Sequence, residues 1–165
     1  MPSSASPVIT LIDGRSGAGK SVFAANLAAQ QSAVLVSIDD VYPGWDGLDA
    51  GSWHIHRHLV VPFLAGLSGR YRPWLWEEAR RGDWITVAPG RPLIVEGCGA
   101  IRRESPTNST TRIWIETDDE LRRTRALERD GEMYAPHWTR WALQEERFLA
   151  HHHSRDIASE IRALG

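Results

Sequence analysis

The chain has 165 residues, 42% of them hydrophobic and 24% charged, with a net charge of −2. This length suits one domain with a sizeable core, the composition is globular rather than disordered, and the charge balance offers no general attraction for nucleic acid. The one cysteine, Cys98, excludes an internal disulfide and suits a reducing compartment. No stretch is long and apolar enough to span a bilayer, and residues 1–7 lack the basic start and apolar run of a signal peptide. These features predict a cytoplasmic domain over 8–165, behind a flexible N-terminus of 1–7, with neither nucleic acid nor membrane as partner.

In chain order, residues 8–12 (VITLI) form a short apolar, β-branched run and predict a buried strand. Residues 14–21 then fit G-x-x-x-x-G-K-[ST]: Gly14, Arg15, Ser16, Gly17, Ala18, Gly19, Lys20, Ser21. Residues 22–29 are rich in alanine and predict a helix. Glycines between a strand and a helix let backbone amides close around a polyphosphate, and the helix N-terminus adds its positive end. In that arrangement Lys20 reaches the β- and γ-phosphates and Ser21 ligates Mg²⁺.

A second strand, 33–38, ends at Asp39 and Asp40. Either this pair serves a bound polyphosphate, by accepting a proton from an attacking hydroxyl or holding Mg²⁺ through water, or it opens a turn before Pro43 and Gly44. The phosphate loop favours the former. Residues 43–90 are rich in tryptophan. Within them the spacing predicts a helix over 52–67 with a kink at Pro62. His54 and His58 are one turn apart, without an evident third ligand, and carry no metal site. Trp45, Trp53, Trp74 and Trp76 either stack on a planar substrate or form the core of a small lobe.

A strand over 91–96 ends in Glu96, at the Mg²⁺ end of the loop; Cys98 reads as a small packing residue. A fourth strand, 111–116, runs into a capping box with Thr117 as N-cap and Glu120 at the third helical position. Arg122, Arg125 and Arg129 in the following helix share one face. They form either a lid that closes on the phosphates or a solvated face paired with Asp118, Glu128 and Asp130. Residues 136–150 predict an amphipathic helix, and 156–164 lean towards a final strand.

Four stretches resemble the uridine-kinase-like branch of the P-loop kinases: IDGRSGAGKS (12–21), VSIDDVY (36–42), LIVEG (93–97) and ELRRTRALERDG (120–131). The resemblance implies an α/β fold, the three-layer α/β/α P-loop NTPase architecture with a mostly parallel central sheet. Residues 43–90 would then be a substrate-binding insertion and 120–136 a lid. It further implies ATP and Mg²⁺, with residues 14–21, Arg122 and Arg129 on the nucleotide, Ser21 and Glu96 at the metal, Asp39 as general base, and Lys20 and Arg125 acting on the transferring phosphoryl. The family's Tyr-Asp-Phe base-pocket signature is replaced by YRPWLW (71–76). The acceptor candidates are therefore Asp40, Tyr42, Trp45, Arg72 and Trp76. The implied reaction moves the γ-phosphate of ATP to a hydroxyl of a small molecule, most simply a nucleoside. The alternatives are a kinase of a monophosphate clamped by Arg57, Arg70 and Arg72, and a nucleotide-binding regulatory module without turnover.

Overall fold

The computed structural model describes residues 6–164, so most of the expected N-terminal segment 1–7 lies outside them. The elements follow as β1 (Ile9–Asp13), α1 (Lys20–Gln31), β2 (Val34–Ser37), α2 (Leu48–Ile55) and α3 (Val61–Leu64), then β3 (Gly69–Tyr71), β4 (Trp74–Leu75), β5 (Arg80–Arg81) and β6 (Ile85–Val87). They continue as β7 (Leu93–Glu96), β8 (Thr110–Glu116), α4 (Asp119–Asp130), α5 (Trp138–His152) and β9 (Glu160–Ala163).

The central sheet has the order β2-β7-β1-β8-β9, and every pairing in it is parallel. Successive side chains of a strand point to opposite faces, and both faces here are covered. Ile9, Leu11, Val36, Leu93 and Val95 face a layer that includes Leu48, Ile55, Phe63, Trp141 and Phe148. Ile12, Ile94, Ile113 and Ile115 face Ala24 and Ala28 of α1. This is the three-layer α/β/α arrangement. Burial on both faces is why β7 reads as an apolar run up to Glu96, and β1 as one interrupted only by Thr10 before Asp13, rather than as alternating strands. Each fully buried aliphatic chain in them contributes about 1.5–3 kcal/mol relative to exposure. Residues 160–163 form the last strand, parallel to β8.

Two local expectations are corrected, and one feature is new. The helix expected over 52–67 starts at Leu48 and ends at Leu64, and a π turn, His56–Val60, joins α2 to α3. Pro62 has no N–H to complete the α pattern, and the widened turn just before it takes the place of a sharp kink. The N-cap of α4 is Asp118, not Thr117: its Oδ1 accepts from the amides of Glu120 and Leu121, both at 3.1 Å. Thr117 is turned inward at the end of β8, its Oγ1 2.9 Å from Ala18 O and 2.6 Å from Leu164 O, tying the phosphate loop to the end of β9. Finally, residues 69–87 hold two small antiparallel pairs, β3–β6 and β4–β5, which no periodicity announces in pieces of two or three residues.

Candidate active site

The phosphate loop is fixed at both ends. Asp13, at the end of β1, accepts from the amides of Gly14 (2.7 Å), Gly99 (3.1 Å) and Ile101 (2.9 Å), joining the loop to the turn after β7. Its burial pushes the carboxyl pKa up to about 6, against the pull of those amides. Gly17 has φ +80°, and a Cβ there would lie 2.0 Å from the Arg122 carbonyl, so loop and α4 touch backbone to backbone. Gly19, at φ +102°, is the N-cap of α1 and brings no side chain to cover the helix end. The first-turn amides of α1 have no intrahelical acceptors, and the end is open to an anion.

Lys20 donates from Nζ to Arg15 O at 2.9 Å. Its burial opposes the charge, but the negative groups around it, Asp39, Glu145 and Asp13 among them, outweigh that and hold its pKa above the ordinary lysine value. Ser16 is held at all three of its polar groups. Its N–H donates to Glu145 Oε1 (3.2 Å), its carbonyl accepts from Arg122 (3.0 Å), and its hydroxyl accepts from Tyr134 (2.9 Å). Glu145 also accepts from Arg15 Nε at 3.0 Å.

Beside the loop, Glu96 Oε1 accepts from Ser37 (2.6 Å) and Ser21 (3.3 Å), while Oε2 is buried without a partner. Burial pushes the Glu96 pKa up. A serine hydroxyl beside a carboxylate with an uncommitted oxygen is the donor set a hard cation such as Mg²⁺ takes. Among the described residues no group of three His, Cys, Asp or Glu converges as a metal site. A cation here would complete its shell with phosphate oxygens and water.

A cavity of about 530 Å³ opens above these groups. Its floor is Ser16, Gly17, Gly19, Lys20 and Ser21, with Asp39 reaching in from the turn after β2. Arg125 and Arg129 border it from α4, Arg129 being paired with Asp130 at 2.8 Å. The remaining wall is mainly aromatic: Tyr42, Trp45, Trp76, Tyr134 and Trp141. Trp45 stacks on His137 (4.4 Å, 9°) and on Tyr134 (5.5 Å, 23°), and Tyr42 meets Trp141 edge-on at 4.7 Å. Tyr42 donates its hydroxyl to Cys98 O at 2.6 Å. Burial pushes the Cys98 thiol far up, which keeps it protonated.

The remaining sequence candidates lie elsewhere. Arg122 does not face the cavity: it is 5% exposed beneath the loop, held by Ser16 O and by Asp119. One turn earlier than Arg125, it meets the loop before the helix reaches the cavity. Asp40 is not part of the lining, and burial, then the neighbouring Asp39, raise its pKa. Arg72 fastens the small lobe, its N–H on His54 Nε2 (3.0 Å) and its Nε on Gly82 O (2.7 Å). Arg70 lies on the Trp84 ring at 4.2 Å, and neither it nor Arg57 lines the cavity. Trp53 and Trp74 are outside the cavity too, beside Arg102 and Arg81.

Tyr134, Trp141 and Glu145 are the site residues that sequence reading does not single out. For Glu145 a signal exists: an acid one turn after Trp141 on a buried stripe that continues to Phe148. Tyr134 follows α4, between two short 3₁₀ turns, where no periodicity marks it.

Neither protein-family models nor curated protein sequences match this chain. Solved structures do. A candidate uridine kinase from Bacillus stearothermophilus superposes with a TM-score of 0.61 at 15% identity, covering 96% of this chain and 89% of that one. A candidate fructose transport system kinase from Silicibacter sp. TM1040 gives 0.62 at 18% identity, over 98% and 92%. An uncharacterized protein from Eubacterium ventriosum gives 0.53 at 15% identity, over 96% and 88%. The chain has the three-layer α/β/α P-loop NTPase fold. In that fold the β1, β2 and β7 strands deliver Asp13, Asp39 and Glu96 at or just past their carboxyl ends, the edge at which parallel sheets carry ligands.

Proposed function

We propose that the protein is an ATP-dependent kinase of a small, uncharged hydroxyl compound, with a nucleoside-like acceptor as the favoured class. The observation that carries this reading is one cavity lined by Lys20, Asp39 and Arg125 and closed on its other side by aromatic rings. The amides of 14–21 and Lys20 take the phosphates of ATP. Asp39 orients the acceptor hydroxyl and takes its proton. Lys20, Arg125 and Arg129 face the charge that develops on the transferring phosphoryl. Ser21, backed by Glu96, would hold Mg²⁺, which neutralises phosphate oxygens. Residues 120–136 act as the lid and 43–90 as the acceptor lobe, whose Trp45 and Trp76 contact the acceptor together with Tyr42, just before the lobe. The descriptions of the Bacillus and Silicibacter proteins as kinases support the transferase class.

A phosphorylated acceptor is disfavoured, because Arg57, Arg70 and Arg72 lie off the cavity and its aromatic wall holds no cation for a second phosphate. The absence of a membrane-spanning helix among the described residues and the one buried cysteine accord with a cytoplasmic setting. The test is ADP release from ATP and Mg²⁺ across a panel of nucleosides, other small alcohols and nucleoside monophosphates. Turnover with hydroxyl compounds and not with monophosphates is expected. Tight ATP binding with no turnover on any acceptor replaces this reading with a regulatory module.

A further inference from the structure

Ser16 and Trp45 are joined by two separate routes. In the first, Tyr134 donates its hydroxyl to Ser16 Oγ at 2.9 Å while its ring stacks on Trp45 at 5.5 Å. In the second, adjacent residues of α5 take the two ends: Gln144 Nε2 donates to Trp45 O, and Glu145 accepts the Ser16 N–H at 3.2 Å. Gln144 also accepts from the Leu48 amide at 3.2 Å, so this route holds the start of α2 as well. The backbone groups of Ser16 are thus held by charged side chains, Glu145 and Arg122. Its hydroxyl bond alone is made directly to a ring of the aromatic wall, that of Tyr134. A molecule packed against Trp45 bears on Tyr134, and Tyr134 bears on the phosphate loop.

We infer that Tyr134 is a positioning residue: it aligns the Ser16 end of the phosphate loop when the aromatic wall is filled. This rests on the kinase reading above. A hydroxyl–hydroxyl bond adjusts the loop without building it, because the charge-assisted contacts persist when it is lost. Its removal therefore affects alignment for transfer more than nucleotide binding.

The experiment compares Tyr134→Phe, Ser16→Ala and the double variant with wild type. Turnover is measured with the hydroxyl acceptor found in the panel, and binding with mant-ADP. Each single variant is expected to lower kcat by roughly ten-fold, the worth of one hydrogen bond in the transition state. Acceptor KM and mant-ADP affinity stay within about two-fold of wild type. Because both substitutions delete the same bond, the double variant is no slower than the slower single one. Wild-type kcat in both single variants, or a double variant whose loss is the product of the two, overturns the positioning role alone. A wild-type protein inactive on every acceptor overturns the kinase reading and this inference together. Should circular dichroism show that Tyr134→Phe fails to fold, Ser16→Ala decides the matter from the other side of the bond; a folded variant that loses mant-ADP binding overturns the positioning role.

Discussion

Ser37 and Glu96 face each other in the register between β2 and β7, and the serine hydroxyl donates to Glu96 Oε1 at 2.6 Å. The other carboxylate oxygen is buried and without a donor, a state that costs stability unless a cation or a water meets it. Glu96→Gln is expected to raise the Mg²⁺ concentration for half-maximal turnover by about 10–100-fold, the usual effect of a residue that supports a metal. A Mg²⁺ titration of turnover checks this, and an unchanged midpoint removes Glu96 from the metal corner.

Lys20→Ala is expected to abolish phosphoryl transfer while leaving a folded protein. The lysine's direct hydrogen bond is to Arg15 O within the loop, and on the proposed reading its ammonium serves as a point charge on the phosphates. Circular dichroism confirms folding and an ADP-release assay reads activity; undiminished turnover would sink the assignment of the cavity floor.

Asp39 lines the cavity and Asp40 does not. General-base help is worth about 10²–10⁴-fold, and Asp39→Asn is expected to reduce turnover by that order with ATP binding retained. Asp40→Asn leaves the chemical step near wild type. Equal activity of the two variants, measured at saturating ATP, rules out proton transfer at this strand end.

The arginines of α4 occupy two places. Arg125→Ala is expected to lower turnover more than ATP affinity, since the side chain borders the cavity and, on the kinase reading proposed above, acts on the transition state. Arg122→Ala instead strips the buried Ser16 carbonyl of its donor and is expected to destabilise the fold by about 1–3 kcal/mol, read by urea denaturation. A stable Arg122→Ala protein with impaired ATP binding would reverse this division.

His54 accepts the Arg72 amide proton at Nε2, so the ring must be neutral there. Burial, with the nearby charge of Arg81, depresses its pKa from 6.5 to about 4. Between those values the unfolded chain binds the extra proton, so stability rises with pH through this window and is lost as pH falls from 6.5 towards 4. The melting temperature of wild type relative to His54→Ala is expected to decline on acidification from pH 7 to pH 4. A difference that stays flat over that range would mean the His54–Arg72 contact does not set the lobe's acid sensitivity.

The sheet was legible in the sequence because its strands are buried on both faces, and unbroken runs such as Leu93, Ile94 and Val95 have few alternatives. The loop was legible because Gly17 and Gly19 sit where only glycine suits the backbone. The acceptor wall was not. Trp45 and Trp53 look alike in sequence, yet one lines the cavity and the other packs beside Arg102; tertiary placement alone separates them. The same holds for Arg122 and Arg125. A shared helix face says which residues are neighbours, not which of them the phosphate loop will reach first. Thr117 was mistaken for the cap because Asp118, one residue on, has the same chemistry, and only the end of β8 decides between them.

Lys20 is the sole lysine in the chain; the other eighteen Lys and Arg side chains are guanidinium groups. That makes the buried ammonium on Arg15 O a spectroscopic singleton. Selective ¹⁵N-lysine labelling yields one side-chain amine signal, located at the phosphate loop and free of overlap. A change in that one signal on addition of nucleotide therefore counts occupied loops directly, with no acceptor and no turnover needed.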